Sequence, residues 1–198
     1  MIRRRSLLAG AGVLLLGLLA WAVSRGLERL VDPRPESRGA SAAESAAPAA
    51  GVPRITATLF HASADGQALV PIHREVALAE GIVPQGREIL TAQLQGAPPP
   101  YVSVIPEGTM LRAFYVTDRG DAFVDLSLEV SSRHPGGSAT ELLTVYAIVN
   151  AVTANLPTIQ RVQILIDGRE ADTLAGHVDL RRPLQQDLSL VREQADAQ

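Results

Sequence analysis

The stretch GGSATELLTVYAIVNAVTANLPTIQRVQILIDG, residues 136–168, decides the fold. It runs from a helix start through an apolar stripe and a stop into a strand. Gly136-Gly137 precedes Ser138-Ala139-Thr140-Glu141, the pattern of a capping box. In that box Ser138 accepts from the Glu141 N–H while the Glu141 carboxylate reaches back. Leu142, Val145, Val149 and Val152 recur at spacings of 3, 4 and 3, one face of a helix. Leu143, Tyr146 and Ile148 widen that face, so much of the helix should be covered. It ends near Asn155, ahead of Pro157. Arg161 to Ile166 reads as a strand burying Val162, Ile164 and Ile166, and Asp167-Gly168 turns the chain.

Working back toward the N-terminus, residues 109–117 form a strand with Leu111, Phe114, Tyr115 and Val116. Asp118-Arg119-Gly120-Asp121 makes a turn. Ala122, Val124, Leu126 and Leu128 then alternate with Phe123, Asp125, Ser127 and Glu129, as a half-buried strand should. Before these, Ile89, Leu90 and Leu94 predict a short helix at about 85–95, led in by Pro84 and stopped by Gly96 and Pro98-Pro99-Pro100. Residues 55–76 read as a β-hairpin around Asp65-Gly66, with Pro71 marking an edge strand. The fold class is therefore α+β: an N-terminal β-hairpin, then α-β-β-α-β, with both helices on one face of a small mixed sheet. A crossover through the second helix is right-handed if it joins parallel strands.

Charge divides the chain of 198 residues. The net charge of -3 combines +4 over residues 1–30, -1 over 31–53 and -6 over 54–198, and all 18 basic residues are arginine. An acidic domain argues against a nucleic-acid partner, which demands a basic footprint. With Cys 0, disulfides, thiolate nucleophiles and cysteine-ligated metals are excluded.

The basic stretch is an orientation signal. Residues 1–5 form a short cytoplasmic tail carrying Arg3-Arg4-Arg5, and Ser6 to Ser24 follow without a charge. As a helix those residues reach about 28 Å, close to a bilayer's hydrocarbon thickness. Residues 6–24 are thus expected to be a transmembrane signal anchor in the lipid bilayer, with Trp21 at the interface and the rest extracytoplasmic. Ala20-Trp21-Ala22 also fits a cleavage site, and Arg3-Arg4-Arg5-Ser6-Leu7-Leu8 loosely fits a twin-arginine signal. Residues 25–53 form a linker whose part from 31 is rich in Ala, Pro and Ser and too poor in apolar side chains to fold. The domain spans 54–192, with 193–198 a tail.

Six segments carry a family resemblance: Ile105-Pro106-Glu107-Gly108-Thr109, Val124-Asp125-Leu126-Ser127, Gly137-Ser138, Val145-Tyr146-Ala147-Ile148-Val149-Asn150, Ile164-Leu165-Ile166-Asp167-Gly168 and Gly176-His177-Val178-Asp179-Leu180. In this order and spacing they resemble the GerMN domain of sporulation and spore germination proteins, over about residues 55–191, in a single copy. The resemblance implies the ring-building arrangement α-β-β-α-β and a non-enzymatic, extracytoplasmic domain held to a membrane. It implies envelope proteins or a second copy as partners. An envelope ligand-binding domain, for peptidoglycan or a small molecule, is the alternative.

The chemistry-bearing residues point to no catalytic, cofactor or metal site. His61, His73, His134 and His177 lack a ligand-set spacing, although His61 and His73 fall in one hairpin. Gly176-His177-Val178-Asp179 has no accompanying G-x-S-x-G elbow. His177 and Asp179 are expected to tie the C-terminal segment to the sheet. Asp118, Asp121 and Asp125 cluster about one hairpin, where turn bonding and a polar strand face account for them. Gly136-Gly137 lacks a phosphate-loop pattern. The one tryptophan, Trp21, lies in the anchor, so no aromatic sugar platform is visible in the domain.

Overall fold

The computed structural model describes residues 52–192. The basic tail, the anchor at 6–24, most of the linker and the tail at 193–198 lie outside the described residues. Among those described, no helix is long and apolar enough to cross a membrane.

The hairpin forms as expected. Strands β1 (Arg54–Ala62) and β2 (Leu69–Ala77) pair antiparallel as a two-stranded sheet, with Phe60 opposite Pro71. Helix α1 (Ile82–Leu94) starts earlier than the apolar spacing indicates. Gly81, at φ 94, sets its start, so Pro84 falls within the first turn, where its missing N–H costs nothing.

Strands β3 (Leu111–Val116) and β4 (Asp121–Leu126) form the second hairpin. The alternation at Ala122, Val124 and Leu126 does not continue to Leu128. The Ser127 N–H donates to the Met110 carbonyl at 2.9 Å and its Oγ accepts from the Met110 N–H at 3.0 Å, closing the ladder. The chain then makes a one-turn helix, α2 (Glu129–Ser132), which leaves Leu128 exposed.

Helix α3 (Ser138–Asn155) ends where Pro157 predicts, and leads to β5 (Arg161–Ile166), which pairs parallel to β4. Two short strands, β6 (Arg169–Glu170) and β7 (Leu184–Gln185), pair with β5 and complete a five-stranded mixed sheet. Ala122, Val124, Leu126, Val162 and Ile164 share one core with Ile89 and Leu90 of α1 and with Val145, Ile148, Val149 and Val152 of α3. Each fully buried Val, Ile or Leu here contributes roughly 1.5–3 kcal/mol.

The other side of α3 is also covered. Leu143, Ala147 and Ala151 pack with Phe60 and Leu69 of the hairpin. This explains the wide apolar face, and it corrects the expected stripe: Leu143 is buried, while Leu142 is half-buried.

The capping box does not form. Gly137, at φ 88, is the residue before the helix; no side chain caps it, and Ser138 is already helical. The Glu141 N–H donates to the Gly137 carbonyl at 3.0 Å. Its carboxylate turns away from the helix start.

Candidate functional site: the open edge of strand β3

A strand edge exposes backbone N–H and C=O groups that must find partners or invite another chain. Side-chain amides finish the outer edge of β1. Asn155 of α3 accepts from the Thr58 N–H at 2.8 Å and donates to its carbonyl at 2.7 Å. Gln93 of α1 does the same for Phe60, at 2.9 and 2.7 Å. At Ala62 a backbone pair with Val102 takes over, at 2.9 and 3.0 Å. Gln85 accepts from the Ala79 N–H at 2.9 Å and donates to the Ala77 carbonyl at 3.1 Å, just past β2.

The C-terminal segment closes more backbone. Asn150 pairs with Asp187 at 2.8 and 3.0 Å. The Leu69 N–H donates to the Leu190 carbonyl, and the Arg192 N–H to the Leu69 carbonyl, each at 2.8 Å. Sequence reasoning missed all four amides. Their partners are remote or irregular backbone, which apolar periodicity does not register.

Strand β3 is different: it pairs with β4 alone. The Thr117 N–H donates to the Asp121 carbonyl at 2.9 Å, so the alternation turns Ala113 and Tyr115 toward β4 and Phe114 and Val116 outward; Arg112 is the extra residue of a bulge, where the register shifts by one. Phe114 is buried, but Tyr115 is 59% exposed and neighbouring Met110 62%. Neither lysine nor proline guards the strand. A groove of about 300 Å³ lies between Thr91, Leu94 and Gln95 of α1 and Thr109 to Leu111. A second, of about 270 Å³, separates Ile82 and Val83 from Val116 to Asp118. The outer edge of β3 is thus flanked by open space near both ends.

The titratable residues singled out in the sequence go to separate structural tasks. Glu141, fully buried, accepts from the backbone N–H of Leu174, Ala175 and Val178 at 2.9, 2.8 and 3.2 Å on Oε1. Its Oε2 accepts from the His177 N–H at 2.9 Å and lies 3.0 Å from His177 Nδ1. Burial pushes this carboxyl up, but the donors around it prevail and hold it below the ordinary glutamate range. His177 therefore ties the C-terminal segment to helix α3 and not to the sheet. Asp179 pairs with neighbouring Arg181 at 2.7 Å.

His134 Nδ1 accepts from the Gly136 N–H at 3.0 Å, and Nε2 lies 3.1 Å from Thr144 Oγ1. Those partners fix the neutral ring with its proton on Nε2. Burial keeps it below the usual imidazole range against the pull of Glu141. His61 is buried with Nε2 unpartnered. Burial and the Arg74 guanidinium lower its pKa to about 4. His73, opposite Thr58, is exposed.

The three aspartates of the second hairpin also part company. Asp121 binds Arg161 at 2.7 Å, and Asp118 is exposed. Asp125 is buried; it accepts from the Gly168 N–H at 2.7 Å and faces Arg112 at 3.4 Å. It thereby holds the turn at Asp167, whose φ is 51. Among the described residues no three His, Asp or Glu side chains converge as metal ligands.

A family model described as sporulation and spore germination, Germane, matches residues 58–172, from β1 to just beyond β6. The chain belongs to the Germane family. Its GerMN-like segments fall at structural joints. Gly137-Ser138 opens α3, and Asp167-Gly168 is the turn that Asp125 holds. Among solved structures, a Clostridium perfringens protein described provisionally as a lipoprotein is 23% identical, with a TM-score of 0.50 over 68% of this chain and 89% of that one. The tandem GerMN domains of the sporulation protein GerM from Bacillus subtilis are 17% identical, with a TM-score of 0.51 over 69% of this chain. The match spans 46% of that tandem protein. These likenesses show the shared GerMN fold. No curated protein matches the sequence.

Proposed function

We propose that this Germane-family chain is an envelope protein whose domain is a non-enzymatic protein-interaction module. Residues 6–24 anchor it in the cytoplasmic membrane with the N-terminus inside, and residues 25–53 space the domain from the bilayer on the outer side. The observation that carries the reading is the contrast between edges. Asn155, Gln93, Val102 and the C-terminal segment occupy backbone along β1 and at Leu69, whereas Phe114 and Val116 present an unpaired edge. The family and the fold of its relatives support an envelope setting. With Cys 0, a lipid-modified cysteine cannot provide the anchor, which leaves the apolar run to do so.

The test is photo-crosslinking in the native cell with a photoreactive residue replacing exposed Tyr115, compared with one replacing exposed Glu170 at the other end of the sheet. Adducts at position 115, with the chain in the membrane fraction and its C-terminus accessible to external protease in spheroplasts, support the proposal. A chain found in the cytosol, or free of adducts at 115, refutes it.

A further inference from the structure

We propose that the face of the five-stranded sheet turned away from the helices binds the glycan strand of peptidoglycan, with Tyr115 and Phe123 as its stacking platform. This goes beyond the interaction-module reading, which concerns the edge of β3 and not its face. No aromatic cluster stands out in the sequence; the register builds one. Tyr115 lies directly opposite Phe123 across β3 and β4. Such a pair holds its Cβ atoms about 5 Å apart on one face. Phe114, Val124 and Val162 point into the core, so Tyr115 and Phe123 point away from it. Neither ring packs into an apolar cluster of the domain. Tyr115 is exposed and Phe123 half-buried.

Paired charges border the two rings on both sides. One rung toward the hairpin turn, Asp121 stands opposite Arg161 and binds it at 2.7 Å. One rung the other way is Asp125. The bulge at Arg112 carries its guanidinium to Asp125 at 3.4 Å and to Asp167 at 3.3 Å. Successive rungs on one face are about 7 Å apart, so a pyranose laid on the aromatic pair has an Arg–Asp pair at each rim. Both arginines are about half-exposed, and each guanidinium has more N–H donors than these contacts use.

This pattern selects the ligand. Arg112 and Arg161 cancel Asp121 and Asp125, Asp167 adds a negative charge, and residues 54–198 carry -6. Such a face repels nucleic acid and other anionic polymers. An apolar helix or sheet landing on it would strip water from both ion pairs and give nothing back. A sugar covers the rings with its C–H face, while hydroxyl and acetamido groups at its rim replace that water on the Arg–Asp pairs. The glycan strand of peptidoglycan has this chemistry. It also lies where the anchor at 6–24 and the spacer at 25–53 hold the domain on the reading above.

The test is sedimentation of the full-length chain, in detergent, with peptidoglycan sacculi purified from the native cell. The chain is expected to pellet with them. Soluble glycan strands freed of stem peptides by an amidase are expected to release it, and stem peptides alone are not. Tyr115→Ala is expected to weaken pelleting about tenfold, the loss of one stacking ring. Tyr115→Phe keeps the ring and is expected to bind as the unaltered chain does. Leu128→Ala removes an exposed apolar side chain outside the sheet and is expected to change nothing. Circular dichroism checks that each variant folds.

A chain that stays in the supernatant overturns the proposal. So does release by stem peptides and not by glycan strands, or equal pelleting by Tyr115→Ala. A loss in Tyr115→Phe as large as in Tyr115→Ala overturns the stacking role. No partner protein enters this assay, so its failure leaves the interaction-module reading standing, and failure of the crosslinking test leaves the glycan site standing.

Discussion

The carboxylate of Glu141, in the first turn of α3, accepts a hydrogen bond from the backbone N–H of Leu174 at 2.9 Å across 33 residues of chain. Three more backbone N–H groups and the His177 ring complete its shell. A buried carboxylate with this many donors organises the loop that follows β6 much as a bound anion would.

Glu141→Gln is expected to destabilise the domain by about 2–4 kcal/mol. The amide NH₂ would meet N–H groups where the carboxylate met donors, leaving buried groups unpaired. The pH dependence has a definite sign. Because the folded carboxyl sits below its ordinary value, its contribution is present above the unfolded glutamate pKa and lost as pH falls through the folded one. Urea unfolding of both proteins at several pH values between 3 and 7 measures this. A loss under 0.5 kcal/mol at pH 7, or an unchanged acid slope, would contradict it.

His61 supplies the second acid-sensitive term. With a folded pKa of about 4 against the ordinary 6.5, the unfolded chain binds more protons between those values. Stability therefore rises with pH across that window and is fully gained above 6.5, by about 2 kcal/mol after allowance for solvent screening. His61→Phe removes the group and flattens the curve between pH 4 and 6.5, leaving the smaller contribution of His134. Titration of the ring by NMR should place its midpoint below 5; a value near 6.5 would defeat the argument.

Gly86 gives a contest between two effects. Alanine in a helix interior gains about 1 kcal/mol over glycine. Here a Cβ would run into the ring of Phe114 on β3. Overpacking typically costs about 1–3 kcal/mol, so Gly86→Ala is expected to lose up to about 2 kcal/mol net. Thermal unfolding decides the sign. A companion Phe114→Leu, which frees ring volume, should recover part of the loss if the clash is the cause.

The strands and the limits of α3 were legible because alternation at Val124 and Val162, glycine at 137 and proline at 157 act locally; the start of α1 was not, because Ile82 and Val83 stand outside the spacing of Ile89, Leu90 and Leu94 that marked the helix. The capping box was misread for a physical reason. The motif assumes that a glutamate in the first turn has nothing better than the helix start to bond, and here the loop at 174–178 offers four N–H groups. Leu128 fits the strand alternation, yet the Ser127–Met110 pairing ends the ladder before it. That some sheet edge would be open followed from the fold class. That it is β3 did not, since closure of β1 depends on Gln93 and Asn155 meeting backbone 33 and 97 residues away.

Those amides yield the last expectation. Gln93 is buried, and both its amide atoms are spent on Phe60. Gln93→Met keeps the side chain's length and apolar stem but leaves the Phe60 N–H and C=O buried without partners. Each orphaned group costs about 1–3 kcal/mol, so a loss of about 2–4 kcal/mol is expected once partial relaxation is counted. The damage should be local in kind. Amide exchange at Phe60 ought to accelerate far more than at Val124, which β3 and β5 hold in the sheet's interior. Hydrogen exchange followed by NMR reads both sites in one sample. Equal acceleration at the two would mean that Gln93 acts through global stability and not by closing the β1 edge. A protected Phe60 in the variant would mean that another group closes that edge.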